Sequence, residues 1–187
     1  MVDKLKPIRR IVTGHDEHGR SCVIYDSDAP NANPQVNKPG SGMTEIWVYP
    51  SCPVDLSGTR DDGKLPFNFE PPPGGGHLRI VQSPARPLGY DPNKDPAAQP
   101  MHPPKMRPGA RGTKDRGGAN AFRSPTHRST TVDYGVLLEG DRVLNLDDID
   151  IVMKPGDTVV QLGNWHAWSN PDSDSLMAFI MMDATFD

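Results

Sequence analysis

An all-β barrel or sandwich is the fold class the sequence predicts, and three observations predict it. The 187 residues include 21 Pro and 18 Gly but only 35% hydrophobic residues. That wealth of turn-formers disfavours a helical bundle and favours many short strands. β-prone runs recur between turn signals every few residues, most regularly from His127 onward, as in a sandwich or barrel. No segment carries the apolar period of an amphipathic helix. The length suits one domain with a sizeable core.

Residues 8–12 and 21–25 read as strands around a polar turn at 14–19. Residues 26–42, rich in Asn, Pro, Gly and Ser, read as a loop. Residues 43–49 form a third strand, and Pro71-Pro72-Pro73-Gly74-Gly75-Gly76 halts regular structure. Residues 77–82 then alternate polar and apolar, as a half-buried strand does. His15, His18, His77 and His102 read as exposed. Residues 83–123 carry eight prolines and few aliphatic side chains, and their second half is basic, with Lys105, Arg107, Arg111, Lys114, Arg116 and Arg123. Such a stretch is a solvated excursion or, on the sharper reading, a cationic lid over an anionic substrate. Strands follow at 132–138, 142–146, 149–153, 158–162, 165–168 and 175–183. Ile149, Ile151 and Met153 share one face. The chain thus divides into N-terminal strands (1–82), a Pro/Gly-rich basic insertion (83–123) and a regular β-rich part (124–187), all within one domain.

The formal net charge of −4 gives no support for binding nucleic acid or an anionic membrane. No run is long enough to span a bilayer, and the opening residues Met1 to Pro7 do not resemble a leader. Two isolated cysteines, Cys22 and Cys52, read as reduced thiols in a cytoplasmic protein. Phosphate-binding, dinucleotide-binding and nucleophile-elbow motifs are missing. The Gly- and Arg-bearing tract at 109–118 lacks the interleaved aromatics of a single-strand binder.

Two stretches resemble the motifs of the cupin family. In residues 127–140, His127 opens the first motif, and a hydrophobic strand ends at Glu139-Gly140. Asp133 stands where the family has Glu, and Ser129 stands where it has a second His. In residues 154–170, Pro155-Gly156-Asp157 opens a strand that ends in Gly163-x-x-His166-x-x-x-Asn170. Gln161 occupies a position often held by Pro, and the Gly156–Gly163 interval is one residue short of the common pattern. The resemblance covers about the last third of the chain. It implies a double-stranded β-helix (jelly-roll) barrel, with the N-terminal strands added to the barrel or to a dimer interface, and homodimers pairing through residues 8–12. It also implies a site inside the barrel that acts on a small oxygen-bearing metabolite, as a dioxygenase, decarboxylase or isomerase. The alternative is a cupin that binds a small molecule without turning it over.

The residues themselves admit a metal site. His127, His166 and Asp133 supply two imidazoles and a carboxylate, the facial set used for Fe, and equally open to Mn, Ni, Co or Zn. His127 and Asp133 lie roughly 20 Å apart on an extended strand, so they meet at one ion only if the chain bends between them. Without a metal, His127 and His166 read as hydrogen-bonding groups in a polar pocket. Asp133 then reads as a general base or as the group that fixes a His tautomer. Asp133 and His166 are the catalytic candidates. Tyr134, Trp165, Trp168 and Gln161 are the candidates for lining the pocket against a flat substrate, with Trp47 a further aromatic on the barrel strands.

Overall fold

The structure, a computed structural model, describes residues 5–35, 38, 40–56 and 59–186. The leader reading at Met1–Lys4, and the loop reading at Val36, Asn37 and Pro39, lie outside the described residues. The strands are Arg9–His15 (β1), Ser21–Asp28 (β2), Asn31–Pro34 (β3), Gly42–Tyr49 (β4), Gly76–Ser83 (β5), Met101–Met106 (β6) and Lys114–Gly117 (β7). There follow His127–Arg128 (β8), Thr131–Glu139 (β9), Arg142–Asn145 (β10), Asp150–Met153 (β11), Thr158–Leu162 (β12), Ala167–Ser169 (β13) and Ser175–Asp183 (β14). The fold is all-β, as the sequence predicts.

The main sheet is antiparallel, in the order β12-β9-β14-β5-β4-β3. Two three-stranded sheets, β11-β10-β13 and β6-β7-β8, are linked by bridges at His127↔His166 and Arg123↔Ser169. β1 and β2 form a separate ribbon, whose Ile11 and Val23 are exposed.

Alternation explains the packing. β9 turns Thr131, Asp133 and Leu137 inward, and β14 turns Ser175, Met177, Phe179 and Met181 the same way. The apolar members meet Val81, Leu144, Met153 and Trp168 from the other strands. Leu137 and Met177 are wholly buried, each stabilising the fold by about 1.5–3 kcal/mol. Two glycines of the resemblance are required by backbone geometry. Gly140 has φ of 73°, and a Cβ there would lie 1.9 Å from the Asp174 carbonyl oxygen. Gly163 has φ of 67° and abuts the Phe186 ring. Both conformations are open to Gly and strained for other residues.

Several readings need correction, among them the loop at 26–42, where Asn31–Pro34 pairs with β4 as a strand. β5 is buried on both faces, not half-buried as its alternation suggests. His77 and Arg79, the polar positions, are 1% exposed, because Arg79 Nη2 meets Glu45 Oε2 at 2.6 Å in a buried ion pair and approaches His77 Nδ1 at 3.1 Å. His77 is therefore not a surface residue, and His102 is half-buried against Asp115 at 3.1 Å. Ile149 and Ile151 are exposed and only Met153 of that set is buried. Within residues 83–123, β6 and β7 pair despite Pro103 and Pro104. The ladder breaks between Met101 and Lys105, where the two prolines have no N–H to donate.

Candidate active site in the barrel

The bridge between His127 and His166 is the centre of the site. The two residues exchange backbone hydrogen bonds, His127 N–H to His166 C=O at 2.8 Å and His166 N–H to His127 C=O at 2.9 Å. Directly opposed residues send their side chains to the same face, and the imidazole centroids are 4.4 Å apart. Nδ1 of His127 donates to the Pro125 carbonyl at 2.8 Å, and Nδ1 of His166 donates to the Asn164 carbonyl at 3.0 Å. A carbonyl only accepts, so both rings carry their proton on Nδ1. Burial lowers the pKa of His166 to about 4 and that of His127 well below the usual range. Both rings are therefore neutral near neutral pH, with a bare Nε2 lone pair.

Asp133 and Gln161 face each other across β9 and β12. Asp133 Oδ1 and both amide atoms of Gln161 are buried without a hydrogen-bond partner among the described residues. Burial pushes the Asp133 carboxyl up to about 6, with Arg79 pulling the other way. Ser129 serves structure. Its hydroxyl lies 3.0 Å from the Thr113 hydroxyl, which donates to Glu70 at 2.6 Å. The same carboxylate accepts from the backbone N–H groups of Arg111, Gly112 and Thr113.

One cavity of about 270 Å³ takes in His127, Ser129, Asp133, Gln161, His166 and Trp168, with Phe69, Phe122 and Phe179 among its apolar walls. Two of the predicted lining residues lie elsewhere. Tyr134 follows inward-facing Asp133 on β9, so alternation turns it out to 38% exposure. Trp165 precedes inward-facing His166, and its ring lies between the guanidinium groups of Arg116 and Arg128 at 4.9 and 5.2 Å. Trp47 packs its ring under Arg10 on β4.

Three donors would be needed to hold a metal here. His127 and His166 converge and Asp133 shares their cavity, but among the described residues no three His, Cys, Asp or Glu side chains are placed to hold one ion. Two imidazoles with a third donor standing off do not fit a site that holds its ion through three protein ligands.

Cations line the same cavity, two of them from the stretch whose sharper reading is a cationic lid. Lys38, Arg79, Arg107, Arg123 and Arg142 line it against a single carboxylate, Asp133. Arg107 and Arg123 come from the basic stretch 83–123, where their charge was legible and their direction was not. Arg142 carried one signal, a charge at an inward position of the alternating strand β10.

No family model matches the chain. A curated relative from Hypocrea virens, the cupin-domain-containing oxidoreductase virC, is 35% identical over 175 residues, 92% of this chain and 72% of its own. The chain belongs to the cupin family. Two further relatives extend the comparison for this cupin. The cupin-domain-containing oxidoreductase fogC of Aspergillus ruber is 27% identical over 96% of this chain and 74% of its own. The phomopsin biosynthesis cluster protein C' of Diaporthe leptostromiformis is 28% identical over 97% and 81%. Among the described residues of this cupin, no helix is long and apolar enough to cross a membrane.

Proposed function

We propose that this cupin is an oxidoreductase acting on a small oxygen-bearing metabolite inside the barrel, with Asp133 as its proton-transferring group. The observation that carries the reading is one cavity shared by two neutral imidazoles and a carboxyl whose pKa is about 6. The cupin oxidoreductases named above support the class of reaction, and the relative named for a biosynthesis cluster supports a metabolite as substrate. A carboxyl poised near neutral pH both donates and accepts a proton readily, which is what general acid–base catalysis asks of it. His127 and His166 are too weakly basic to keep a proton. Their Nε2 atoms instead accept hydrogen bonds from a substrate hydroxyl and so orient it beside Asp133. Gln161 adds a donor and an acceptor on the opposite strand.

A second reading, a carrier that binds the same molecules without turning them over, is favoured by the incomplete metal-ligand set. One experiment separates the two. The purified protein is incubated with a small-molecule extract and the mixture followed by mass spectrometry. With dioxygen from air as the oxidant, the enzyme reading expects a metabolite to lose a hydrogen pair, the dioxygen leaving as hydrogen peroxide, or to gain both atoms of the dioxygen. It also expects Asp133→Asn to slow that change by about 10²–10⁴-fold while His166→Ala weakens binding. A metabolite retained unchanged by both wild type and Asp133→Asn identifies a carrier and overturns the enzyme reading.

A further inference from the structure

Of the five cations on the cavity wall, four are already engaged. Arg79 is paired with Glu45. Arg107 lies 3.6 Å from Asp115. Arg123 donates to the Gly118 carbonyl and the Thr126 hydroxyl. Lys38 donates to the Asn120 carbonyl at 3.0 Å. Arg142 differs. Its side chain belongs to a residue only 6% exposed, and Nε and Nη1 are buried without a hydrogen-bond partner among the described residues. No carboxylate pairs with it among those residues. Its guanidinium lies over the face of Trp168, with Cζ 5.4 Å from the ring centroid. The fork of N–H donors that a guanidinium offers is built for a planar oxyanion, and a buried cation left without one is costly.

We propose that Arg142 is the anion-binding residue of the cavity and that the substrate carries a carboxylate or an equivalent planar oxyanion. This rests on the cavity being the substrate site, as set out above, and names the substrate class it takes. Trp168 fixes the scale of the molecule. Its ring contacts both groups, with Arg142 Cζ at 5.4 Å and the His166 ring centroid at 6.1 Å. The anionic head therefore binds within about one aromatic side chain of the histidine pair. A substrate with its charged end at Arg142 presents a hydroxyl to the bare Nε2 of His166, beside Asp133, while its apolar body meets Phe179 and Trp168. Burial also lowers the pKa of Arg142, to about 10, which leaves it charged at neutral pH.

The test uses two probes of the same shape, octanoate and octanamide, titrated near neutral pH into the full chain by calorimetry. Wild type is expected to bind the carboxylate at least about tenfold tighter than the amide, the difference one charge-assisted contact makes. Arg142→Met should erase that preference and melt no lower than wild type, because an apolar side chain of similar length relieves an unpaired buried charge. Arg142→Lys, which keeps the charge, should hold part of the preference and guards against a Met variant that does not fold. Equal affinity of wild type for the two probes, no binding of the carboxylate, or a preference that survives in Arg142→Met would each overturn the proposal. None of these readouts depends on turnover, so a failed anion subsite is distinguishable from a failed assignment of catalysis to Asp133.

Discussion

Burial disfavours the charged forms of both His166 and Asp133, and the two shifts act on stability with opposite signs. The pKa of His166 falls to about 4 in the folded chain from the 6.5 of an ordinary imidazole. The unfolded chain therefore binds more protons across that interval, and the stability lent by the neutral ring is lost as pH falls from 6.5 through 4. His127 and His77, also lowered chiefly by burial, add to the loss. Asp133 rises from 3.8 to about 6. Its neutral form lends stability that is complete below 3.8 and disappears as pH rises through 6. Three rings outweigh one carboxyl, so the urea midpoint is expected to fall on acidification below 6.5. His166→Asn should flatten that fall, and Asp133→Asn should steepen it. A midpoint unchanged between neutral pH and the range of His166 would contradict the buried, neutral rings. At this scale the motif residues were legible, since Gly163-x-x-His166 and the His127 register record backbone turns that few other residues satisfy. Arg142 and Arg79 were not. A polar/apolar alternation says which residues share a face and leaves open which face is inside.

Among the elements, β5 and the 83–123 segment show where that ambiguity mattered. β5 was legible as a strand, but its polar residues are buried too because Glu45 on the neighbouring strand β4 supplies the partner Arg79 needs, and a cross-strand partner is invisible in a single run of residues. The 83–123 segment carried too little apolar pattern to show that its later part closes the cavity. Arg107, Phe122 and Arg123 reach the wall, and Thr113 is wholly buried. Its first part is different. Most of residues 86–106 are exposed, and no member of the hydrophobic core cluster lies there. Excising residues 92–108 is therefore expected to leave a cooperatively melting β protein, while removing Arg107 opens the cavity and weakens octanoate binding. Loss of soluble, folded protein would show that β6 is part of the stabilising core.

Across the whole molecule, the six-stranded sheet and the linked three-stranded sheets enclose the cavity, and each contributes one side of the chemistry. The large sheet brings Asp133 and Gln161, and the bridge across the smaller sheets brings His127 and His166. The fold class, and the meeting of His127, Asp133 and His166 at one cavity, were readable from turn spacing and from two motifs because those record local geometry. The charge of the cavity depends on residues from five separate stretches of chain and becomes visible only when they are assembled. The most direct test of the central claim is a side-chain ¹⁵N–¹H correlation spectrum of the imidazoles at neutral pH, assigned with His127→Asn and His166→Asn. Two neutral rings protonated on Nδ1, each with a bare Nε2, are expected. A doubly protonated ring, or a proton on Nε2 of either histidine, would contradict the account of how this site receives its substrate.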